Sequence, residues 1–131
     1  MKYVADTSTF LAVALQEPER SWLIKVTEDQ DLLAPSVLPY EIGNALSAML
    51  KRKAIRPDVI EAIWRAATSV PVELAEVDIY AALLVAARFN IYAYGAYFLQ
   101  CAVEARCPLL TLDVPMKIVA RQLNLALVEP Q

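Results

Sequence analysis

The sequence predicts one α/β domain in which helices cover both faces of a short, mostly parallel sheet of four or five strands. Short apolar segments alternate along the chain with helical periodicities, as expected for parallel strands joined by helical crossovers. The 131 residues are 58% hydrophobic, which is enough for a single packed core spanning the whole chain, residues 1–131. Acidic residues also follow two of the predicted strands, at the edge where such sheets place their functional sites.

The N-terminal segment predicts a strand followed by two helices. Lys2–Ala5 is a short β-type run and gives the first strand. Thr7 and Ser8 are residue types favoured at a helix N-cap, and the helix Thr9–Gln16 follows them until a Glu-Pro pair ends it. The next helix, Glu19–Thr27, places apolar residues on one face and is followed by a polar turn.

The central segment predicts a strand, two helices and a second strand. Leu32–Ala34 is a short apolar run closed by a proline, so we expect a buried strand there. The helix Pro39–Lys53 has the clearest pattern, because its apolar residues recur at i, i+3, i+4, i+7 and i+8. Arg56-Pro57-Asp58 opens a fourth helix, and Val72–Val77 is the next strand.

The C-terminal segment predicts three more helices and two strands. The helix Ile79–Phe89 is followed by an apolar helix from about Gly95 to Arg106, which a proline then ends. Leu109–Thr111 is the next strand, and a final helix runs from Asp113 to about Leu123. Ala126–Val128 is the candidate for a last strand, which explains why the sheet is predicted with four or five strands.

The composition argues against several kinds of catalytic site. The chain has no histidine, which removes Ser-His-Asp and Cys-His catalysis and any histidine-based zinc site. Cys101 and Cys107 lie six residues apart, which is not a metal-ligand spacing, and we expect free buried thiols. With only two glycines the sequence has no glycine-rich phosphate loop, so nucleotide binding of the P-loop or dinucleotide type is not expected.

Charge and hydropathy indicate a cytoplasmic protein with no membrane-spanning segment. The formal net charge is −3, so a broad basic surface for non-specific nucleic-acid binding is not expected. The longest apolar stretches are shorter than the roughly 18 residues that a membrane span needs. The N-terminal residues also lack the pattern of a signal peptide.

Three acids stand at junctions between predicted elements. Asp6 ends the first strand, Asp113 follows the strand Leu109–Thr111, and Glu41 lies in the first turn of the helix Pro39–Lys53. Converging carboxylates are how proteins hold divalent metals for phosphodiester chemistry. Each acid also has an ordinary explanation, because aspartate is common at helix N-caps and glutamate in a first helical turn.

Neighbouring polar residues could support these acids. Ser8 could donate a hydrogen bond to the carboxylate of Asp6, and Asn44 lies on the same helical face as Glu41. Thr111 is expected on the same side of its strand end as the acid that follows it. These positions predict a hydrated metal site of oxygen ligands, although they do not exclude a structural role.

Two further sets of residues could contact RNA. Basic side chains could bind phosphates, and aromatic side chains could stack on bases. A solvated surface for the basic set, and core or interface packing for the aromatic set, are the simpler explanations. The basic residues are Lys51, Arg52, Lys53 and Arg56, and the aromatic residues are Tyr92, Tyr94, Tyr97 and Phe98.

Taken together, four segments resemble the PIN-domain family, in particular the VapC-like toxin ribonucleases of type II toxin–antitoxin systems. The segments are Tyr3–Ser8, Pro39–Leu46, Tyr94–Leu99 and Leu110–Asp113. The resemblance implies a three-layer α/β/α PIN-like fold and a Mg²⁺- or Mn²⁺-dependent endoribonuclease, usually a homodimer. It also implies an RNA substrate and a cognate antitoxin that covers or enters the site.

The same resemblance implies a role for each acid. Asp6, Glu41 and Asp113 are expected to be the catalytic, metal-holding residues. Ser8 or Thr7 and Asn44 are expected to support them.

The sequence departs from the family pattern at Gly95. The family carries an aspartate there, at the start of the sixth helix, so one carboxylate of the site is missing. Glycine is tolerated at a helix start, so we expect the fold to be kept and metal binding or catalysis to be weakened.

This glycine leaves two functions open. One is an impaired ribonuclease, and the other is a degenerate PIN domain that binds RNA or an antitoxin without catalysis. A third possibility is a substitution introduced at position 95. A more remote alternative is a receiver-like signalling domain with Asp6 as phosphate acceptor.

Overall fold

The computed structural model describes residues 1–130, and this part of the chain forms four strands and seven α-helices. The strands are β1 (Lys2–Ala5), β2 (Asp31–Pro35), β3 (Glu73–Ala75) and β4 (Leu109–Leu110). The helices are α1 (Thr7–Ala14), α2 (Arg20–Thr27), α3 (Leu38–Lys51), α4 (Ile60–Thr68), α5 (Ile79–Phe89), α6 (Ala93–Ala105) and α7 (Val114–Gln122). A short 3₁₀ turn, Pro57–Val59, precedes α4.

The four strands form one parallel sheet in the order β3-β2-β1-β4. Val4 in β1 pairs with Leu33 in β2 on one side and with Leu109 in β4 on the other. Because successive residues of a strand point to opposite faces, a sheet covered on both faces buries adjacent residues alike. Val4 and Ala5 are both buried, so helices cover both faces and the predicted α/β fold with a parallel central sheet is confirmed.

The helices form two groups around this sheet. One group is centred on α1, which packs against α2, α3 and α4. The other is centred on α6, which packs against α5, α7 and the strands β1 and β2. The sheet is therefore shielded on its faces, and the carboxyl ends of its strands meet at one edge, where β1 leads to Asp6 and β4 to Thr111.

Most predicted elements agree with the structure to within about two residues at each end, but two predictions were wrong in detail. Thr7 and Ser8 do not cap α1; Asp6 does, because its backbone is extended (φ −94°, ψ 174°) and its carboxylate accepts the Thr9 amide. Ala126–Val128 is not a full strand. Leu127 makes only an isolated parallel bridge with β4, because β4 is only two residues long.

Within residues 1–130, no single helix is long and apolar enough to cross a membrane. Only α5 and α6 taken together reach the necessary length, and the chain bends by 116° between them.

Candidate active site

Asp6 lies directly after β1 and is almost completely buried, with 3% of its surface exposed. Its Oδ1 accepts the Thr9 amide at 3.3 Å, and the Thr9 hydroxyl donates to the Asp6 carbonyl oxygen at 2.7 Å. These bonds satisfy backbone groups at the start of α1. Since a buried charge is costly unless it is well hydrogen-bonded, further partners of the carboxylate are expected.

Two hydroxyl groups hold the Asp6 carboxylate. Ser8 Oγ donates to Oδ1 at 2.6 Å, and Thr111 Oγ1 donates to Oδ2 at 2.5 Å. Each hydroxyl also accepts a backbone N–H: Ser8 from Leu112 at 3.1 Å, and Thr111 from Asp113 at 3.0 Å. The network ties the end of β1 to the segment after β4 and fixes both carboxylate oxygens.

Burial raises the pKa of Asp6 from 3.8 to about 6. The hydrogen bonds from Ser8, Thr111 and Thr9 act in the opposite direction, and the negative charge of Asp113 raises the pKa further. Asp6 is therefore ionised at neutral pH at the expense of fold stability. A cation beside it would lower that cost.

Asp113 and Glu41 are placed differently with respect to Asp6. Asp113 is half-buried at the N-cap of α7, close enough to Asp6 for the two charges to interact. Glu41 is half-buried in the first turn of α3, where its Oε1 accepts the Asn44 side-chain amide at 3.4 Å. The structure thus joins Asp6 and Asp113 in one network and holds Glu41 with Asn44 as a separate pair.

Gly95 is buried in the first turn of α6 and lines a cavity of about 310 Å³ together with Asp113 and Met116. Its backbone does not adopt the positive φ that favours glycine. A Cβ added at this position would lie 3.8 Å from its nearest neighbour, Met116 Cγ, which is ordinary van der Waals contact. The fold therefore does not require glycine here, and a side chain would find room in the wall that Asp113 shares.

The donor chemistry of this edge fits a divalent cation, but the set is incomplete. Carboxylate and hydroxyl oxygens are the ligands that Mg²⁺ and Mn²⁺ prefer. Asp6 and Asp113 repel each other, and the buried Thr7 hydroxyl has no hydrogen-bond partner within residues 1–130. In the described part of the chain, however, no three His, Cys, Asp or Glu side chains are arranged to hold a metal ion.

Tyr92 and Tyr94 line the same cavity, and their accessibility was missed at the level of sequence. They are 78% and 51% exposed, so of the expected core or interface packing the core alternative is wrong for them, whereas Phe98 is buried as expected. Both tyrosines lie at the start of α6, shortly after Asn90, which ends α5 in the αL conformation. This position beside a helix boundary is the signal that could have predicted their exposure.

The cysteines take no part in this site. Cys101 is buried, and burial raises the pKa of its thiol to about 12, so it remains an inert thiol at neutral pH. Cys107 is a free thiol too but only half-buried, so the expectation of two buried thiols is met fully by Cys101 alone.

Comparison with known proteins agrees with the fold. The sequence profile of the PIN domain matches residues 3–122. The chain is similar to the crystal structure of PAE2754 from Pyrobaculum aerophilum, with a TM-score of 0.65 and 25% identity, over 91% of this chain and 87% of that chain. No curated protein matches the sequence. Because the profile spans nearly the whole chain, the protein belongs to the PIN domain family, whose fold is that of nucleases.

Proposed function

We propose that this protein is a metal-dependent endoribonuclease, the toxin of a toxin–antitoxin pair, with its activity reduced by Gly95. In this proposal Asp6, Glu41 and Asp113 hold Mg²⁺ or Mn²⁺. The residues that support them are Thr7, Ser8, Asn44 and Thr111. The observation that carries the proposal is the buried carboxylate of Asp6, held by two hydroxyls beside the charge of Asp113.

The charge of Asp6 has no structural necessity. Serine, threonine and asparagine cap helices about as well as aspartate does, and none of them would place a charge in the protein interior. The raised pKa is the result of that burial. Buried carboxylates with a perturbed pKa and a charged neighbour are concentrated at functional sites, which supports a catalytic role for this one.

The residues around Asp6 would act by orienting groups in advance. Ser8 and Thr111 fix the two carboxylate oxygens, so Asp6 needs no rearrangement to meet a ligand. Asn44 similarly restrains the carboxylate of Glu41. A divalent cation bound at such a site supplies an activated water and neutralises charge on a phosphodiester.

Gly95 favours a second candidate function. A PIN domain that has lost one carboxylate can keep its fold and surfaces and bind RNA or an antitoxin without cleaving the RNA. Gly95 has an ordinary backbone conformation and room for a Cβ beside it. The fold therefore does not require glycine here, and what the glycine removes is the carboxylate. The two functions differ in whether Asp6 supports turnover.

We also propose a homodimer that acts in the cytoplasm and is inhibited by a cognate antitoxin. The helix α5 exposes four large apolar side chains, Ile79, Tyr80, Leu83 and Leu84. A face of this kind on one helix suits pairing with the same face of a second copy. The antitoxin would then cover the edge of the sheet that carries Asp6.

Cleavage of single-stranded RNA in Mn²⁺ tests the proposed activity. Three proteins are compared: the native chain, the Gly95→Asp variant, and the double variant that adds Asp6→Asn. We expect Gly95→Asp to cleave faster than the native chain and the double variant to lose that gain, which excludes a contaminating ribonuclease. Absence of cleavage in both of the first two proteins would favour the binding function.

A further inference from the structure

Tyr92 and Tyr94 form an exposed aromatic pair at the start of α6. Their ring centroids lie 6.0 Å apart, and the ring planes differ by 13°. Residues two apart on a helix do not normally face each other, but Tyr92 is the N-cap, with an extended backbone (φ −71°, ψ 152°). That break in the helix lets the two rings lie in a stack while both remain open to solvent.

The pair stands beside the candidate active site. Tyr92 and Tyr94 line the cavity of about 310 Å³ whose wall also includes Gly95 and Asp113. Exposed tyrosines elsewhere, such as Tyr80 on α5, do not line this cavity. A molecule that contacts the tyrosine rings here would extend toward Asp113, the candidate acid that lines this cavity.

The charge of the protein makes this aromatic pair important for RNA binding. A net charge of −3 gives little general attraction for phosphates, and part of that negative charge lies at the candidate site itself. Aromatic rings bind the faces of unpaired bases without needing a basic surface. Two rings that are already nearly parallel can continue their stack onto a base with little reordering.

We propose that Tyr92 and Tyr94 form a base-stacking platform that holds an unpaired nucleobase of single-stranded RNA beside the site. The identity of the ligand as RNA rests on the proposed function, whereas the platform rests on the geometry of the two rings. The platform would position a phosphodiester near Asp113. It would also make binding depend on the presence of a base next to the bond.

RNA binding measured without divalent metal tests the platform separately from catalysis. The probe is a fluorescently labelled single-stranded RNA of about ten nucleotides, a length within the range of single-strand binding sites. The proteins are the native chain, Tyr92→Ala, Tyr94→Ala, and the ring-keeping Tyr92→Phe. Tyr80→Ala serves as the matched control, because it removes an equally exposed tyrosine from a different surface.

Each alanine variant is expected to bind about fivefold to a hundredfold more weakly, while Tyr92→Phe and Tyr80→Ala bind like the native chain. The dependence on salt should not change, because no phosphate contact is lost. An RNA of the same length whose bases are replaced by abasic sites should lose the difference between native and alanine proteins. Thermal unfolding of each variant shows whether it is folded.

Several outcomes would overturn the platform. Equal affinities for native and alanine proteins, or no RNA binding at all, would do so. A change in oligomeric state of Tyr92→Ala, measured by light scattering without a change in RNA affinity, would assign the tyrosines to a protein interface. Cleavage by Gly95→Asp that is unaffected by the tyrosines would leave the proposed function standing without the platform. Tyrosine-dependent RNA binding without any cleavage would support the platform and contradict the proposed ribonuclease activity.

Discussion

Replacing Asp6 by asparagine is expected to stabilise the fold at neutral pH. The pKa of Asp6 is raised from 3.8 to about 6 by burial, and this shift corresponds to roughly 3 kcal/mol of unfolding free energy. Because the folded pKa is above the unfolded one, the native state binds more protons between these values. The stability of the native protein therefore falls as the pH rises from about 4 to about 6.

Asp6→Asn should raise the free energy of unfolding by less than the roughly 3 kcal/mol that the buried charge costs. Both Ser8 and Thr111 donate to the carboxylate and accept backbone N–H groups, so an asparagine amide can replace only one of the two carboxylate oxygens as an acceptor. Losing one such hydrogen bond costs about 1 kcal/mol. Asp6→Asn should thus be more stable than the native chain by about 2 kcal/mol at pH values above about 7, and slightly less stable near pH 4.

Urea unfolding followed by tryptophan fluorescence across this pH range measures the effect without metal. The difference between variant and native free energies reports on Asp6 and its interaction with Asp113, because carboxylates that do not interact with Asp6 contribute equally to both proteins. Asp113→Asn is the matched control, since removing its charge should lower the pKa of Asp6 and shift the transition to lower pH. A difference that does not change with pH, or a variant that is less stable at high pH, would refute the reasoning.

Four further substitutions test other parts of the site. Gly95→Ala should raise the unfolding free energy by about 0.5–1 kcal/mol in thermal unfolding, because the Cβ has room and alanine favours the helix. Gly95→Asp should bind Mn²⁺ at least about tenfold more tightly by calorimetry, since even residues that only support metal ligands have effects of this size; unchanged affinity would exclude a ligand role for position 95. Thr111→Val removes a donor to Asp6 and should lower the unfolding free energy by about 2 kcal/mol at neutral pH, and by less near pH 4, where Asp6 is protonated; equal losses at both pH values would contradict the role assigned to the hydroxyl. Glu41→Gln should change stability by less than about 0.5 kcal/mol but weaken Mn²⁺ binding, and an unchanged metal affinity would make Glu41 an ordinary first-turn glutamate.

The fold was predictable because the sequence separates its strands from its helices clearly. Buried parallel strands are short continuous apolar runs, and β1 and β2 both contain such a run, which in β2 has turn residues on both sides. The helix α3 has strong apolar periodicity. The end of the sheet beside β4 was less predictable, because whether Ala126–Val128 pairs as a strand depends on how many residues of β4 are available to pair.

The local chemistry around Asp6 was only partly predictable. The position of Asp6 after a strand is visible in the sequence, and its hydrogen bond from Ser8 was expected. Three consecutive residues, Asp6, Thr7 and Ser8, are all good N-cap types, so only the backbone angles decide which of them caps α1. The bond from Thr111 to Asp6 joins residues far apart in sequence and depends on the pairing of β1 with β4.

The exposure of Tyr92 and Tyr94 could not be predicted from the composition of their segment. The segment around α6 is the most apolar part of the chain, which suggests burial for every aromatic residue in it. Phe98 follows that expectation: it is buried within α6, the helix that packs against β1 and β2. Tyr92 and Tyr94 do not, because the first turn of α6 buries Gly95 and Ala96 and leaves the two tyrosines exposed, and composition carries no information about which residues of a helical turn are covered.

Anomalous diffraction from crystals soaked in Mn²⁺ tests most directly whether this edge of the sheet is a metal site. We expect a manganese peak between the carboxylates of Asp6 and Asp113, with Glu41 contacting the ion or its water. The peak should be stronger in crystals of the Gly95→Asp variant under the same soak. A manganese peak elsewhere, or none in either protein, would contradict the assignment of Asp6 as a metal ligand.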